Sequence, residues 1–424
     1  MITPFILLNN NKIQNLIVRK LTEHLKERTG AKFEIEHVSL KFFNEISLQS
    51  VYAEDLSNEK ILSIDNIDAK INILSLLKGD IHIENITANN IDANLYTDST
   101  GILNIQFIID ALTPKEKRQT PDLIFPIITL NNASFRYTNY TAPTKNLNKW
   151  QFDVNDIAVD SLFTQIQFSL TNQSNLDANI NYLNLKEKSG FRLSHLSTYV
   201  ELTDSSFIIP FANINLPNTQ LITDSTVILL ARNNQNEVDW AKTKFRFNIS
   251  KADFQLSDLK HFVPELEHLK KQASISAKID GTLENLKASN LKAKYGNTLS
   301  ISANIETIGL PDIKNTYFKG AINHILFDKA SVQDLIANIS KQPFVLPTEI
   351  SNLGLCQYSG EISGSTSNFV LYGNLSSNIG NIKTDVNLKI RDNFNLFLIN
   401  GRIGSNSLNL GKLLPKSGLN NITF

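Results

Sequence analysis

The side chains most able to do chemistry are scattered along this sequence, without a recognised catalytic or metal-binding spacing. Seven histidines are present, and none lies in the His-x-His or His-x-x-x-His spacing that brings two imidazoles to one zinc ion. His261 and His268 are seven residues apart, but Pro264 interrupts any helix face they could share. Glycine-rich phosphate loops and the Gly-x-Ser-x-Gly nucleophile motif are missing from the sequence. We therefore predict no enzyme activity, no catalytic residue, no cofactor and no metal site.

Charge and cysteine content narrow the possible partners further. Lys plus Arg and Asp plus Glu both number 41, so the chain has no net charge to attract nucleic acid, and we predict no nucleic-acid partner. The single cysteine, Cys356, excludes an internal disulfide and a cysteine-based zinc site. Its residue type favours a small side chain packed in a strand over a reactive thiol.

The elements that would position any site are strands in which apolar and polar residues alternate. Ile275, Ala277 and Ile279 share one side, whereas Ser276 and Lys278 share the other. The same alternation resumes at residues 299–306, after a turn predicted at Gly296-Asn297. A sheet built from such strands has one apolar face and one polar face.

This stretch recurs later in the chain. Ile279-DGTLENL aligns with Ile362-SGSTSNF, so that Gly281 matches Gly364 and Asn285 matches Asn368. Helix starts are predicted at Asp258, Asp334 and Asn409, which are 76 and then 75 residues apart. The first start places a helix N-cap at Ser257. A period of this length predicts a repeated unit of several strands and a short helix, in which each unit contacts mainly its neighbours.

These patterns divide the chain into seven predicted regions. They are a membrane-proximal stub and amphipathic helix (1–30), an N-terminal β region (31–113), a linker (114–122), a β-groove region (123–256), repeat unit 1 (257–330), repeat unit 2 (331–406), and the start of a truncated third unit (407–424). The incomplete third unit leads us to expect that the sequence is a fragment of a longer protein.

The first thirty residues leave two alternatives open. Residues 2–8, ITPFILL, are too short to span a bilayer, which needs about 20 apolar residues. They fit either the remnant of a membrane helix or a frayed terminus. The helix that follows is amphipathic and basic, and Gly30 is suited to end it. It fits either a membrane surface or the open end of a β structure. The predicted membrane-proximal residues are Phe5, Ile6, Leu7, Leu8, Ile13, Leu16 and Ile17.

The first strand contains a change of alternation. Phe33 and Ile35 share one parity, and Val38 shares the opposite parity with the apolar residues after it. A switch of one position predicts a β-bulge or a turn near His37.

Several stretches together resemble a known family. The entry segment Ile13-QNLIVRKLTEHLKERTGAKFEIEHVSLKF is similar to the N-terminal segment of TamB proteins, within the AsmA-like group of bacterial envelope proteins. Ile73-LSLLKGDIHIENITANNIDANLY, Lys188-SGFRLSHLS and the stretch from Ser257-DLKHFVPEL to DGTLENLK resemble the versions found in Bacteroidota. The resemblance covers almost the whole chain, although each motif is degenerate. This sequence departs from the family pattern in two ways that we expect of a fragment: its membrane helix is reduced to ITPFILL, and it does not include the C-terminal family domain.

The resemblance implies a fold, a location and a function. Members are mainly β, with an elongated, curled antiparallel sheet of repeated units, U-shaped in section like a taco, around a hydrophobic groove. An N-terminal helix anchors them in the inner membrane of a Gram-negative cell, and they extend through the periplasm. The implied function is bridge-like transfer of phospholipid between the inner and outer membranes, with an outer-membrane barrel protein of the TamA or BamA type as a possible partner.

Two other functions fit the sequence as well. One is a scaffold or chaperone for assembly of outer-membrane β-barrels, using the sheet edge for β-augmentation. The other is a structural or adhesive β-solenoid with a solid core. If a lipid groove is present, its predicted lining is Phe33, Ile35, Ile81, Ile83, Phe245, Phe247, Ile249, Ile275, Ala277, Ile279, Leu299, Ile301, Ala303, Ile305, Ile382, Val386, Leu388 and Ile390.

Overall fold

The chain consists of two compact units. The structure is a computed structural model that describes residues 18–19, 22–23, 26–41, 44–71, 83–112, 123–143, 147–171, 175–310, 312, 315–340, 343–391, 396–414 and 421–423. Unit 1 is Met1–Asp204 with Ile214–Pro217, and unit 2 is Ser205–Asn213 with Asn218–Phe424. Strands hold 64% of the chain and helices 12%, so the predicted mainly β fold is confirmed. The division between the units falls inside the region predicted as 123–256.

In unit 1, most strands pair with the next strand in the chain to form a sheet. The strands are β1 (Phe33–Lys41), β2 (Glu45–Glu54), β3 (Lys60–Ile71), β4 (Ile83–Thr97), β5 (Leu123–Ile124), β6 (Ile127–Asn139), β7 (Asp156–Thr171), β8 (Asn175–Glu187) and β9 (Arg192–Leu202), and helix α1 (Gln106–Leu112) follows β4. The pairing of β4 with β6 is parallel, so the predicted all-antiparallel sheet is wrong at this point. Parallel neighbours need a long crossover, which the connection through α1 supplies.

Unit 2 is an antiparallel sheet whose strands pair largely in chain order. Its strands are β10 (Ser206–Ile209), β12 (Thr219–Leu229), β13 (Lys244–Gln255), β14 (Gln272–Thr282), β15 (Asn285–Tyr295), β16 (Leu299–Ile308), β17 (Tyr317–Phe327), β18 (Cys356–Ser365), β19 (Asn368–Ser377), β20 (Gly380–Arg391), β21 (Leu396–Asn409) and β22 (Asn421–Ile422), while β11 (Ala212–Leu216) spans the division between the units. Each described ladder from β12 to β22 is antiparallel.

Helical segments interrupt unit 2 after every fourth strand. The 3₁₀ helices Leu256–Leu259 and Pro264–His268 follow β13, helix α2 (Lys329–Ser340) and the 3₁₀ helix Thr348–Leu353 follow β17, and helix α3 (Leu410–Leu413) follows β21. Asn409 caps α3, because its side-chain oxygen accepts the backbone N–H of Lys412 at 2.9 Å. The prediction of Ser257 as a helix N-cap is wrong, because the residue at the N-cap position of the first 3₁₀ helix is Gln255, which makes no side-chain capping hydrogen bond. Ser257 lies inside this 3₁₀ helix, where its carbonyl oxygen accepts the backbone N–H of Lys260 at 3.3 Å.

The recurring glycine and asparagine positions occupy the same place in two hairpins. Gly281 has φ +132°, and a Cβ there would lie 2.2 Å from the carbonyl oxygen of Asn285. Gly364 has φ +144°, and its Cβ would lie 2.3 Å from the carbonyl oxygen of Asn368. Only glycine lets the two backbones approach so closely. The sequence similarity therefore reflects a shared hairpin geometry.

The change of alternation in β1, where the apolar side chains move from odd to even positions, recurs at the same level of other strands in unit 1. We call these changes parity switches, and together they form a line across the strands. Ile35 and Val38 are both buried, yet β1 pairs with β2 without a register shift on either side of His37. The predicted β-bulge or turn at His37 is therefore wrong, although the alternation does change there. The register is kept because the partner strand β2 changes its alternation at the same level. Non-glycine residues with positive φ mark the line in β2, β4, β6 and β7, at Ser50, Asn90, Asn132 and Ser161.

In unit 2 the parity switches occur in alternate strands. Register shifts fall between Ile249 and Ala252 in β13, between Ala288 and Leu291 in β15, and between Ile322 and Ile325 in β17. The intervening strands β14 and β16 keep one parity throughout. Bulges bend a strand and increase its twist, so aligned bulges curl a sheet about one transverse line.

The described part of the N-terminal helix ends as predicted. Gly30 has φ +76°, and its N–H donates to the carbonyl oxygen of Lys26 at 2.7 Å. The predicted membrane-proximal residues, the linker 114–122 and Ile81 lie outside the described residues. Within the described residues, no helix has the length and apolar character needed to cross a bilayer.

Candidate functional site: an apolar sheet face in each unit

Apolar side chains in unit 2 line up in rows that run across the strands. Each row consists of residues that are direct cross-strand partners on the same face of the sheet. The Phe245 row is Phe245, Gly281, Leu286, Thr307, Phe318, Gly364, Phe369, Leu388 and Ile399; the Phe247 row is Phe247, Ile279, Ala288, Ile305, Gly320, Ile362, Leu371, Val386 and Gly401; the Ala252 row is Ala252, Ile275, Ala293, Ile301, Ile325, Tyr358, Leu375 and Ile382.

We call the surface formed by these three rows and by the side chains between them, such as Ala303 and Ile322, the apolar face of unit 2. Between neighbouring strands the rows advance by about 4.8 Å, the ordinary spacing of a sheet. Aromatic pairs reinforce the Phe245 row, since the rings of Phe318 and Phe369 lie 6.1 Å apart. Phe245 and Phe247, on the same strand, stack with centroids 5.9 Å apart.

The best-packed part of the apolar face draws on adjacent strands of one sheet. Ala303, Ile322 and Tyr358 are 0%, 5% and 6% exposed, and they form the centre of a cluster. The side chains packed around them are Ile301, Ile305, Ile325, Phe327, Ile362, Leu371 and Leu375, all from β16 to β19. Away from this centre the row residues, such as Ile279, are only half-buried. The face is thus dry at one place and partly open along the rest of its length.

Tyr358 fills a gap that glycines leave in the face. Gly360 and Gly373 face each other across β18 and β19, and a Cβ on Gly373 would lie 2.9 Å from the Tyr358 hydroxyl oxygen. That hydroxyl donates to the carbonyl oxygen of Glu361 at 3.3 Å. Burial raises the pKa of Tyr358, so the group stays neutral.

The opposite face of unit 2 is polar and ordered by charge. One cross-strand row alternates in sign through Arg246, Asp280, Lys287, Glu306 and Lys319. Arg246 Nε donates to Asp280 Oδ2 at 2.9 Å, and Lys287 Nζ donates to Glu306 Oε1 at 2.9 Å. These bonds lower the pKa of Asp280 and of Glu306 and raise the pKa of Lys287. These charged side chains keep the opposite face hydrated. Because each ion pair joins direct cross-strand partners, the row also favours the observed strand register.

Unit 1 carries an apolar face of the same kind. Its Ile35 row is Ile35, Val51, Ile64, Ile91, Ala133 and Leu162, and its Val38 row is Val38, Leu48, Ile67, Ala88, Leu130 and Thr164. Ile64, Ala88, Ile91 and Ala133 form its buried centre. In β1, β2, β4 and β6 the two rows lie on either side of the line of parity switches.

The predicted lining residues that the structure describes lie on these faces. Ile275, Ile279, Ile301, Ile305, Val386 and most of the other unit 2 positions are members of the three rows. The remaining unit 2 positions lie outside the three rows and pair with other residues across the strands. Ile249 pairs with Ala277, Ala303 with Leu291 and Ile322, and Leu299 with Tyr295. Ile390, two residues after Leu388 on the same strand, pairs with Phe397. Phe33 pairs with Ala53, and Ile83 pairs with Ile71.

Sequence reasoning predicted one of the three residues at the centre of the face, Ala303, and missed the other two, Ile322 and Tyr358. Ile322, Tyr358, Ile362 and Leu371 were not predicted, although β18 and β19 alternate regularly. The parity switch in β17 and the glycines of β18 and β19 interrupt the apolar pattern there. The period-2 spacing of Tyr358, Gly360, Ile362 and Gly364 was the signal that could have found them.

Other side chains offer little alternative chemistry. No group of three or more His, Cys, Asp or Glu residues that could hold a metal ion occurs in the described residues. Cys356 is buried, and burial raises the pKa of its thiol, which disfavours a nucleophilic thiolate. Glu187 is 2% exposed, and its carboxylate accepts the backbone N–H groups of Ala158 and Ser189, so it stabilises a turn.

Comparison with family models, curated proteins and solved structures found no match to this chain. The resemblance to TamB and AsmA-like proteins therefore stays a prediction from the sequence.

Proposed function

We propose that this protein is a bridge-like lipid-transfer protein, which conducts phospholipids between the inner and outer membranes along its apolar faces. The observation that carries the proposal is the set of three apolar rows of unit 2, two of which cross strands β13 to β21 and the third β13 to β20. Each row lies opposite a charged, wet face. A surface of this extent, with one dry centre and half-buried margins, suits a ligand that is itself long and apolar.

Acyl chains fit the geometry of the rows. Burying a methylene group contributes about 0.8 kcal/mol, so an extended acyl chain gains affinity with each strand that it crosses. Because each row carries a large apolar side chain on most of its strands, a lipid that shifts along a row exchanges one apolar contact for another. The lipid then moves without a deep minimum, while its head group stays in water.

The cellular setting of the proposal rests on the sequence resemblance. It places the protein in the periplasm of a Gram-negative cell, anchored to the inner membrane. A surface that binds lipid equally well along its length gives no direction to transport. A partner or a lipid gradient is therefore needed to set the direction, and an outer-membrane barrel protein is the partner that the resemblance suggests.

Native mass spectrometry of the purified protein, followed by lipid extraction, tests the proposal. We expect several phospholipids per chain in the unmodified protein and fewer in Ile279→Asp. Lys278→Asp is the matched control, because Lys278 is the exposed neighbour on the polar face. A folded, lipid-free protein, or equal loss of lipid in both variants, would overturn the proposal.

A further inference from the structure

A cavity of about 420 Å³ lies on the polar face of unit 2, in the middle of the sheet. Side chains from the five strands β13 to β17 line it, and their polar groups are serine hydroxyls, asparagine amides and the ammonium groups of Lys278 and Lys292. Among the described residues that line the cavity, none is an aspartate or a glutamate. Asn248, which also lines it, donates from Nδ2 to Asp224 Oδ2 at 3.3 Å, but this carboxylate is not part of the lining. The cavity is therefore positively charged and rich in hydrogen-bond donors.

The parity switches of β13, β15 and β17 all occur at this cavity. Each switch leaves two consecutive residues between apolar neighbours in place of one, and one residue of each pair lines the cavity, namely Ser250, Asn290 and Asn323. Asn290 has φ +54°, and its backbone N–H donates to Asn304 Oδ1 at 2.9 Å, which stabilises the bulge. Bulges are frequent beside functional sites because they redirect side chains. Here three of them direct polar side chains to one place.

The two lysines of the cavity differ from other cations of the same face because they lack an ion pair. Lys287 Nζ lies 2.9 Å from Glu306 Oε1, whereas Lys278 and Lys292 form no ion pair with a carboxylate in the part of the chain that the structure describes. Ser276 is the cross-strand partner of Lys292 and lies two residues before Lys278, so the two lysines are diagonal neighbours on adjacent strands. Two ammonium groups in this arrangement repel each other, and an anion bound between them removes the repulsion.

We propose that this cavity binds the phosphate group of a small, water-soluble compound. The ammonium groups of Lys278 and Lys292 donate charge-assisted hydrogen bonds to the phosphate oxygens. Ser302 accepts a hydrogen bond from Asn323 Nδ2 at 3.4 Å and keeps its own hydroxyl proton to donate to the ligand. The volume of about 420 Å³ lies within the usual range of small-molecule sites, so an organic group fits beside the phosphate.

The surroundings of the cavity favour a water-soluble compound over a lipid head group. Two apolar residues, Ile249 and Ala277, contribute to the lining, but they are cross-strand partners whose side chains lie on the apolar face. An acyl chain attached to the bound phosphate would therefore stay in water. The sheet separates the cavity from the apolar rows, so the inference does not rest on the proposed lipid transfer.

Phosphorus NMR of glycerol 3-phosphate, mixed with the full chain in a phosphate-free buffer, tests the site. Binding should broaden the phosphorus signal in a saturable way, and the titration gives a Kd. Lys292→Gln should raise this Kd about tenfold, because it removes a hydrogen bond to a charged group. Lys287→Gln is the matched control, since it removes the same charge from the same strand and face, and it should change the Kd less than about twofold. A signal that does not broaden, or equal effects of the two substitutions, would overturn the proposal.

Vesicles of phosphatidylglycerol distinguish a lipid head group from a water-soluble compound, because they present a similar phosphate group attached to acyl chains. We expect the vesicles to leave the Kd for glycerol 3-phosphate unchanged. Displacement of glycerol 3-phosphate by the vesicles would assign the cavity to lipid head groups and overturn the proposal of a water-soluble ligand.

A carboxylate placed in the cavity provides an independent measurement. Asn323→Asp is nearly isosteric, and its new charge repels phosphate and pairs with the lysines, so the Kd should rise at least about tenfold. Asn374→Asp, at an exposed position on the polar face of β19, is the control that should leave the Kd unchanged. Circular dichroism checks that both variants are folded. Equal effects of the two substitutions would show that the overall charge, and not the cavity, governs binding, and would refute the site.

Discussion

Comparing two variants, each with a single aspartate at a different position of the apolar face, distinguishes an open surface from a closed core. Ile279 lies half-buried in the Phe247 row, whereas Ile322 is 5% exposed at the centre of the cluster with Ala303 and Tyr358. Both are isoleucines on the same face of the same sheet. If the face is open away from its centre, Ile279→Asp leaves the new carboxylate in water and Ile322→Asp does not.

The expected magnitudes differ enough to measure. Full burial of an isoleucine contributes about 1.5–3 kcal/mol, so loss of a half-buried one should cost about 1 kcal/mol of unfolding free energy. An unpaired carboxylate at the Ile322 position should cost more than about 4 kcal/mol. For lipid binding, losing contact with about three methylene groups removes about 2.4 kcal/mol, or roughly 50-fold in affinity.

Urea unfolding followed by circular dichroism, together with native mass spectrometry, measures both effects. Ile279→Asp should remain folded and lose bound phospholipid, and Ile322→Asp should unfold at a much lower urea concentration. If Ile279→Asp destabilises the fold as much as Ile322→Asp does, the face is a closed core and the reasoning is wrong. If Ile279→Asp keeps its full complement of lipid, the Phe247 row does not bind it.

Three further predictions concern the scaffold of the faces. The Tyr96 hydroxyl donates to the buried Asp55 at 2.6 Å, and this bond raises the pKa of Tyr96 to about 12. Tyr96→Phe should therefore lower stability by about 2 kcal/mol at neutral pH. Because the pKa of Tyr96 in the folded protein exceeds its unfolded value near 10, this contribution should be lost as pH rises from about 10 to about 12. Urea unfolding measured across this pH range should show the stabilities of wild type and Tyr96→Phe converging. A constant difference in stability would exclude this account. Asn132 has φ +56°, a backbone conformation that strains a β-branched residue but not glycine. Asn132→Val should therefore destabilise the protein by about 1–2 kcal/mol in thermal unfolding, while Asn132→Gly should be nearly neutral. Equal effects of the two substitutions would show that the backbone conformation is not the cause. A Cβ on Gly373 would lie 2.2 Å from the Ser359 carbonyl oxygen, whereas one on Gly101 would meet nothing within 4 Å and would add only the backbone strain of its φ of +88°. Gly373→Ala should thus lower the melting temperature by several degrees more than Gly101→Ala, and a reversed order would contradict the packing at the β18–β19 pair.

The strands and the polarity of their faces could be predicted from the sequence because period-2 alternation is a local property. Apolar and polar residues alternate without interruption in 275–279 and 299–305, and the cross-strand pairing places their apolar members on one face of the sheet. The hairpin glycines Gly281 and Gly364 were also visible, because a close backbone approach tolerates no side chain at either position.

The arrangement of the strands beyond nearest neighbours could not be predicted in the same way. The switch at His37 was visible in β1, but its consequence depends on β2, which switches at Ser50 and keeps the register. The parallel pairing of β4 with β6 depends on a crossover through α1 that no alternation pattern encodes. The centre of the apolar face was hidden for a related reason, since Tyr358 covers Gly360 and Gly373 and replaces the apolar side chains expected there.

Site-specific photo-crosslinking tests the central claim most directly. Adjacent residues Ile305 and Glu306 point to opposite faces of β16, so a benzophenone amino acid at each position samples the two faces with the same strand and chemistry. After incubation with vesicles containing phospholipid, we expect lipid adducts at position 305 and none at position 306. Equal labelling at both positions, or no adduct at position 305 in a folded protein, would contradict a lipid-binding apolar face.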